Sequence, residues 1–241
     1  MSRFLPLERP PLHSPVWFVP FDEFAGRVRT AGVEARLERL ADGGWLALDD
    51  PAVRTPSGAI AYPRLGRRGG LWTARPRLHR VRFAAPGLQP LYPADGVPFS
   101  AALDGVEFTV QPYDPGRPPG GPDTARLVRL LPAVTFAYPP RVRTVHGTVR
   151  DAVTGAPAAN ALVESDGRTS RDRTSWHERT LTDASGAFRL ALRWEGVRDG
   201  TGTEEETFRL RAAERPGRAG SLVLRLPRDG QGPHVIEIRE N

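Results

Sequence analysis

Five histidines, a run of three glutamates and two Ser-Gly pairs are the residues of this 241-residue chain best suited to chemistry, and their spacing argues against most of it. His13, His79, His146, His177 and His234 are scattered. No two stand at the i, i+2 or i, i+4 spacing by which one strand or helix offers a metal two ligands. Cysteine is absent, which removes disulfides, thiolate nucleophiles and cysteine-ligated metals together. Serine catalysis needs a nucleophile on a sharp turn, and no G-x-S-x-G occurs. Ser57-Gly58 and Ser185-Gly186 sit inside turn-forming stretches that already account for them. Glu204-Glu205-Glu206, beside Gly200 and Gly202, reads as a solvated Gly-rich hairpin rather than a glycosidase-type carboxylate pair. There is no phosphate-cradling loop and no dinucleotide fingerprint. The residues therefore predict no catalytic group, no metal site and no cofactor.

Binding is the chemistry left. All 34 basic residues are arginine, against 28 acidic ones, for a net charge of +6. Such a balance suits an acidic partner. The arginines are nevertheless dispersed over alternate strand positions without interleaved aromatics, so nucleic acid is disfavoured, and a chain rich in Ala, Arg, Gly and Pro without Lys has the composition of a GC-rich genome. The denser candidate is Ser165 to Arg179, SDGRTSRDRTSWHER, which reads as a charged loop. It mixes Arg168, Arg171, Arg173, Trp176, His177 and Arg179, a composition favoured where proteins meet proteins. Trp17, Trp45, Trp72 and Trp194 read as core anchors. Gln111 to Asp123, rich in Pro and Gly, is a second candidate loop.

The elements that must position these groups are strands. With 25 Gly and 25 Pro, the chain punctuates short alternating segments with turns. In the second half Val145 to Asp151 opens a strand, and Asp151 with Thr154-Gly155 closes a turn. Thr182-Asp183-Ala184-Ser185-Gly186 repeats that chemistry, after which Phe188, Leu190 and Leu192 alternate with Arg189 and Arg193. Strands are predicted near 143–150, 160–164, 177–182, 186–193, 206–213, 220–226 and 234–239. In the first half they fall near 15–21, 32–40, 44–48, 57–62, 78–84, 105–111 and 125–131, with a helical turn as the alternative at Arg36 to Leu40. The fold class is all-β, as two tandem Greek-key β-sandwiches of the immunoglobulin-like kind.

The order G-x-V-x-D-x-x-T-G-x-P, a short strand ending in Val163, then T-D-x-x-G-x-F-x-L, resembles the carboxypeptidase regulatory-like domain, a small transthyretin-like sandwich. The likeness is close over about 50 residues, with the longer, more charged Ser165 to Arg179 as its departure. Such domains accompany catalytic or assembly partners and carry no catalytic residues of their own. Two enzyme families on a related sandwich are not matched: the hydroxyisourate hydrolases end in Tyr-Arg-Gly-Ser, where this chain reads Ile238-Arg239-Glu240-Asn241, and the two-Tyr, two-His iron site of intradiol dioxygenases finds no counterpart in Tyr92, Tyr113, Tyr138 and His146.

The motif also has an echo. Laying Asp22 on Asp151 sets Asp22-Glu23-Phe24-Ala25-Gly26 on Asp151-Ala152-Val153-Thr154-Gly155 and Val33 on Leu162. Ser57-Gly58-Ala59 falls on Ser185-Gly186-Ala187, and Ala84-Ala85 on Ala212-Ala213. The expected organisation is an extended arm over 1–15, a divergent β-sandwich over 16–131, a Pro-rich linker over 132–140 and a carboxypeptidase regulatory-like sandwich over 141–241. No window approaches a membrane span and the N-terminus lacks a signal-peptide pattern, so a cytoplasmic location is expected and membrane contact is not. This arrangement is similar to accessory proteins encoded with phage tail-like contractile injection systems. That resemblance implies a structural protein at a cap or baseplate, with protein subunits, further copies of this chain among them, as partners. The alternatives are a glycan- or protein-binding module and an accessory domain of a separate enzyme.

Overall fold

A computed structural model describes residues 13–67, 75–92, 96–116, 119, 124–169, 173–193, 198–199, 202–203, 205–230 and 232–240. Every regular element among them is a strand. In chain order these are β1 (Trp17–Asp22), β2 (Arg27–Val28), β3 (Glu34–Ala41), β4 (Gly44–Ala47), β5 (Val53–Arg54), β6 (Ile60–Ala61), β7 (Arg77–Ala84), β8 (Leu88–Leu91), β9 (Val106–Val110) and β10 (Arg126–Pro132). They continue as β11 (Arg143–Asp151), β12 (Leu162–Arg168), β13 (Ser175–Leu181), β14 (Ala187–Leu192), β15 (Arg198–Asp199), β16 (Gly202–Thr203), β17 (Glu206–Arg215), β18 (Arg218–Leu226) and β19 (His234–Glu240). The chain is all-β, as its period-2 alternation predicts, and Arg36 to Leu40 lies in β3 rather than in a helical turn.

The N-terminal half holds a sheet ordered β5-β6-β1-β10-β8, with β2 on β1, and a sheet ordered β4-β3-β7-β9. Phe18, Leu37, Ile60, Val81, Phe83, Phe108 and Leu130 fill one core between them. Ser14 is fully buried at its entrance, its hydroxyl donating to Val16 O and accepting the Tyr62 N–H, while residues 1–12 of the expected arm lie outside the described residues. The C-terminal half holds the two-stranded sheet β15-β16 and a seven-stranded sheet, β13-β12-β17-β18-β19-β11-β14, coiled so that both ends face a second core of Val149, Val163, Phe188, Leu190, Leu210, Leu224 and Ile236.

The two halves share the pairing of their central strands. β1 runs parallel to β10 with Phe18 opposite Arg126 and Asp22 opposite Leu130; β11 runs parallel to β19 with Gly147 opposite His234 and Asp151 opposite Ile238. Antiparallel to the same two strands, Phe18 faces Ile60 and Gly147 faces Phe188. The bulky ring has changed sides: Phe18 packs against Ile60 in one core, whereas in the other a Cβ on Gly147 would meet the Phe188 ring at 3.0 Å. The outer strands keep the sequence alignment in their pairing, with Glu34 opposite Ala84 where Val163 is opposite Ala212, but differ from it in burial, since Phe83 and Ala212 point inward and Ala84 outward. Burial decides this register, because a one-residue slip would turn Phe83 outward.

One strand of the second half is split in the first. β18 pairs with β19 at Arg218 and Ala219 and with β17 from Arg218 through Leu226. The corresponding pairings are divided between β8, on β10, and β9, on β7. The excursion between β8 and β9 reaches across to the C-terminal half. Ala101 N–H donates to Glu214 O, Asn160 Nδ2 donates to Ala101 O, and Phe99 packs on a third cluster of Leu91, Leu131, Leu162 and Leu181.

Candidate interaction surface

The polar excursion expected at Ser165 to Arg179 is largely a hairpin. Strands β12 and β13 pair from Leu162 opposite Leu181 to Arg168 opposite Ser175. Its inward positions are Val163, Ser165 and Gly167 on one strand and Trp176, Glu178 and Thr180 on the other, too polar a set to show as an apolar stripe. Trp176 is not a loop aromatic. Its ring lies over Gly167, where a Cβ would stand 2.6 Å from Trp176 Cζ2, and 6.0 Å from the Phe208 ring. Gly167 is what lets the indole lie flat against the strand.

The remaining candidates separate by face. His177 and Arg179 point outward with Glu164 and Asp166. His177 Nε2 is 3.0 Å from Glu164 Oε2, and that hydrogen bond holds the Glu164 carboxyl below its ordinary value against the opposing effect of burial. Arg168 is exposed at the hairpin's end and makes no ion pair among the described residues. Arg173 closes the tip with φ 55° and its N–H on Thr169 O. Arg171 lies outside the described residues, as do Trp72 and Trp194. The hairpin thus brings His177 and Arg179 to one face, sends Trp176 inward and leaves Arg168 and Arg173 at the far end.

Arg179 does something its sequence position hides. Its Nε donates to Glu23 Oε1 at 2.6 Å and its Nη2 to Glu23 Oε2 at 2.5 Å, with Arg129 Nη1 3.3 Å from the same carboxylate. Glu23 belongs to the turn after β1, so the pair joins the two halves. Next to it, Phe24 meets Phe136 and Tyr138 edge to face at 5.4 and 5.1 Å. Arg189 lies over the Tyr138 ring, 5.0 Å from its centroid, and the Tyr138 hydroxyl donates to Arg189 O. Burial pushes that hydroxyl up to about 12. Residues 132–140 are therefore pinned from both sides, with Pro132 O accepting the Thr180 hydroxyl and turns at Ala133 to Phe136 and Pro139 to Val142. Glu23 is marked in the sequence only by its place in the repeated turn.

The other chemical candidates are occupied with structure. His79 is buried, its Nδ1 3.0 Å from Arg77 O and its ring stacked on Phe108; burial lowers its pKa. Tyr92 OH accepts the Phe83 N–H at 2.7 Å. Ser185 Oγ donates to Asp183 Oδ1 within its turn, and Ser57 Oγ is 2.8 Å from Thr55 Oγ1 in the equivalent one. Among the described residues no three His, Asp or Glu side chains converge as metal ligands.

No family model matches the chain, and no curated protein matches it. Among solved structures, it is similar to a streptococcal ancillary pilin at 12% identity and a TM-score of 0.28, over 94% of this chain and 62% of that one. The chain therefore spans less than two thirds of that structure's length. No helix among the described residues is long and apolar enough to cross a membrane.

Proposed function

We propose that this chain is a non-catalytic structural protein of two tandem transthyretin-like Greek-key β-sandwiches, the second carboxypeptidase regulatory-like. In this reading it serves as a cap or baseplate component of a phage tail-like contractile injection system, assembled in the cytoplasm. The observation that carries the structural role is the junction. Glu23 gripped by Arg179 and Arg129, the Phe24-Phe136-Tyr138 stack and the leucine cluster at Leu131 and Leu181 join the two halves through charge, rings and apolar burial at once. A binding module that needs only to present one face has no use for such a joint, whereas a spacer between subunits requires it.

The experiment is co-sedimentation of the native protein from its own cells. Recovery with a megadalton particle supports the reading. Recovery solely as a free monomer overturns it in favour of a binding module, and recovery in a stoichiometric complex with an enzyme overturns it in favour of the accessory-domain alternative.

A further inference from the structure

Where β18 parts from β19 after Ala219 while staying paired with β17, the outer face of the C-terminal half opens into a cleft of about 600 Å³. Its floor is made of small residues. Ala219, Gly220 and Ser221 carry the chain so close to β19 that a Cβ on Gly220 would stand 2.0 Å from Glu237 O, so no larger side chain can fill the cleft from below. Its sides are arginines, with Arg209 and Arg211 from β17 on one and Arg150 and Arg239 from β11 and β19 on the other. Glu237 is the one carboxylate among these residues, and Arg150 Nη2 holds it at 2.6 Å. Arg211 reaches Asp166 only at 3.4 Å, with both side chains more than half exposed. Arg209 and Arg239 are exposed and have no partner among the described residues.

We propose that this cleft binds an acidic, extended peptide segment of a partner protein, with Arg209 and Arg239 as the principal contacts. Charge complementarity sets the sign of the ligand. Guanidinium forks match carboxylates in bidentate geometry, and opposed forks fit an extended chain whose side chains alternate between two sides. The absence of any aromatic ring among the lining residues removes the stacking platform that single-stranded nucleic acid or a sugar would use. Exposed apolar side chains, Val235 in the lining and Val223 on β18 near it, add contacts that a peptide can use and inorganic polyphosphate cannot. The inference goes beyond a place in a particle, and its test needs only the full chain in isolation.

The probe is a fluorescent peptide of about nine residues repeating Glu-Glu-Val, titrated by anisotropy, with a Gln-Gln-Val peptide as control. Saturable binding is expected for the first and not the second, weakening about tenfold or more between roughly 50 and 300 mM salt. The double variant Arg209→Ala/Arg239→Ala, at exposed positions that leave the cores untouched, weakens it at least about tenfold. The proposal is overturned by a wild-type affinity in that variant, by equal binding of the Gln-Gln-Val peptide, or by the absence of saturable binding. Tighter binding of tripolyphosphate or oligo-dT, lost in the same variant, also overturns it in favour of a phosphate ligand.

Discussion

Arg179 and Glu23, far apart in sequence, meet as two parallel hydrogen bonds of 2.6 and 2.5 Å with both side chains largely withdrawn from water. A bidentate, partly buried pair is the geometry in which an ion pair has measurable worth, unlike the exposed pairs on the outer strands. Arg179→Ala should cost about 2–3 kcal/mol, because it leaves the carboxylate with the longer Arg129 contact alone. A double-mutant cycle with Glu23→Ala should return a coupling of about 1–2 kcal/mol by urea denaturation. A coupling under about 0.5 kcal/mol would show that the pair merely coexists with the junction.

Beneath that pair lies the apolar part of the junction. Leu181 is 1% exposed and packs with Leu91, Leu131 and Leu162, which come from both halves. Leu181→Ala should remove about 2–4 kcal/mol. If the cluster couples the halves, calorimetry should show one transition in the native chain and two in the variant. Two well-separated transitions already present in the native chain would place the coupling elsewhere.

The central strands were legible because their residues obey alternation and their turns have turn chemistry. Asp183 accepts the Ser185 and Ala187 N–H groups, Thr55 Oγ1 accepts the Ala59 N–H, and the strand after each turn joins the opening strand of its half. The hairpin at Ser165 to Arg179 was not legible, because Gly167 and Trp176 fill one inward layer together and neither alone signals a strand. Nor was the Arg179 contact, since an ion pair across two halves leaves no mark on local pattern. The short strands β2, β5 and β8 escaped for a similar reason, being set by their partners rather than by their own sequence. The arginine cleft was half visible: Arg209 and Arg211 alternate with Phe208 and Leu210, but that β18 stays with β17 and parts from β19 after Ala219 is a fact of pairing.

Two turn glycines separate conformation from contact. Gly155 has φ +71° and open space where a Cβ would go, so Gly155→Ala should cost only the left-handed backbone penalty, about 1 kcal/mol. Gly186 has φ +76°, but a Cβ there would lie 2.5 Å from Val149 O and 3.1 Å from Pro157 Cβ. Since neither neighbour is a flexible side-chain end, Gly186→Ala should cost at least about 3 kcal/mol. Equal losses in thermal unfolding would mean that the second turn yields more freely than its packing implies.

Asp151 links the same turn to acid sensitivity. Its Oδ1 accepts the Thr154 N–H at 2.6 Å, the Thr154 hydroxyl at 2.8 Å and the Val153 N–H at 3.0 Å, while Arg218 Nη2 lies 2.5 Å from Oδ2. The Thr154 hydrogen bonds first, then those from Val153 and Arg218, hold the carboxyl far below its ordinary value. A carboxyl whose folded pKa is depressed stabilises the fold above its unfolded pKa of about 3.9, and that contribution disappears as pH falls from there toward the folded value. Asp151→Asn removes the charge that Arg218 pairs with, so it should be less stable than the native chain at pH near 6. The gap should narrow steadily below about pH 4, because the native chain alone loses the Asp151 contribution there. Asp183 and Glu164, whose carboxyls are also lowered, titrate in both proteins and cancel in the difference. Chemical denaturation of the two proteins from pH 6 to pH 2.5 measures this, and a gap of constant size across the range would show that the turn is held by its shape and not by the charge on Asp151.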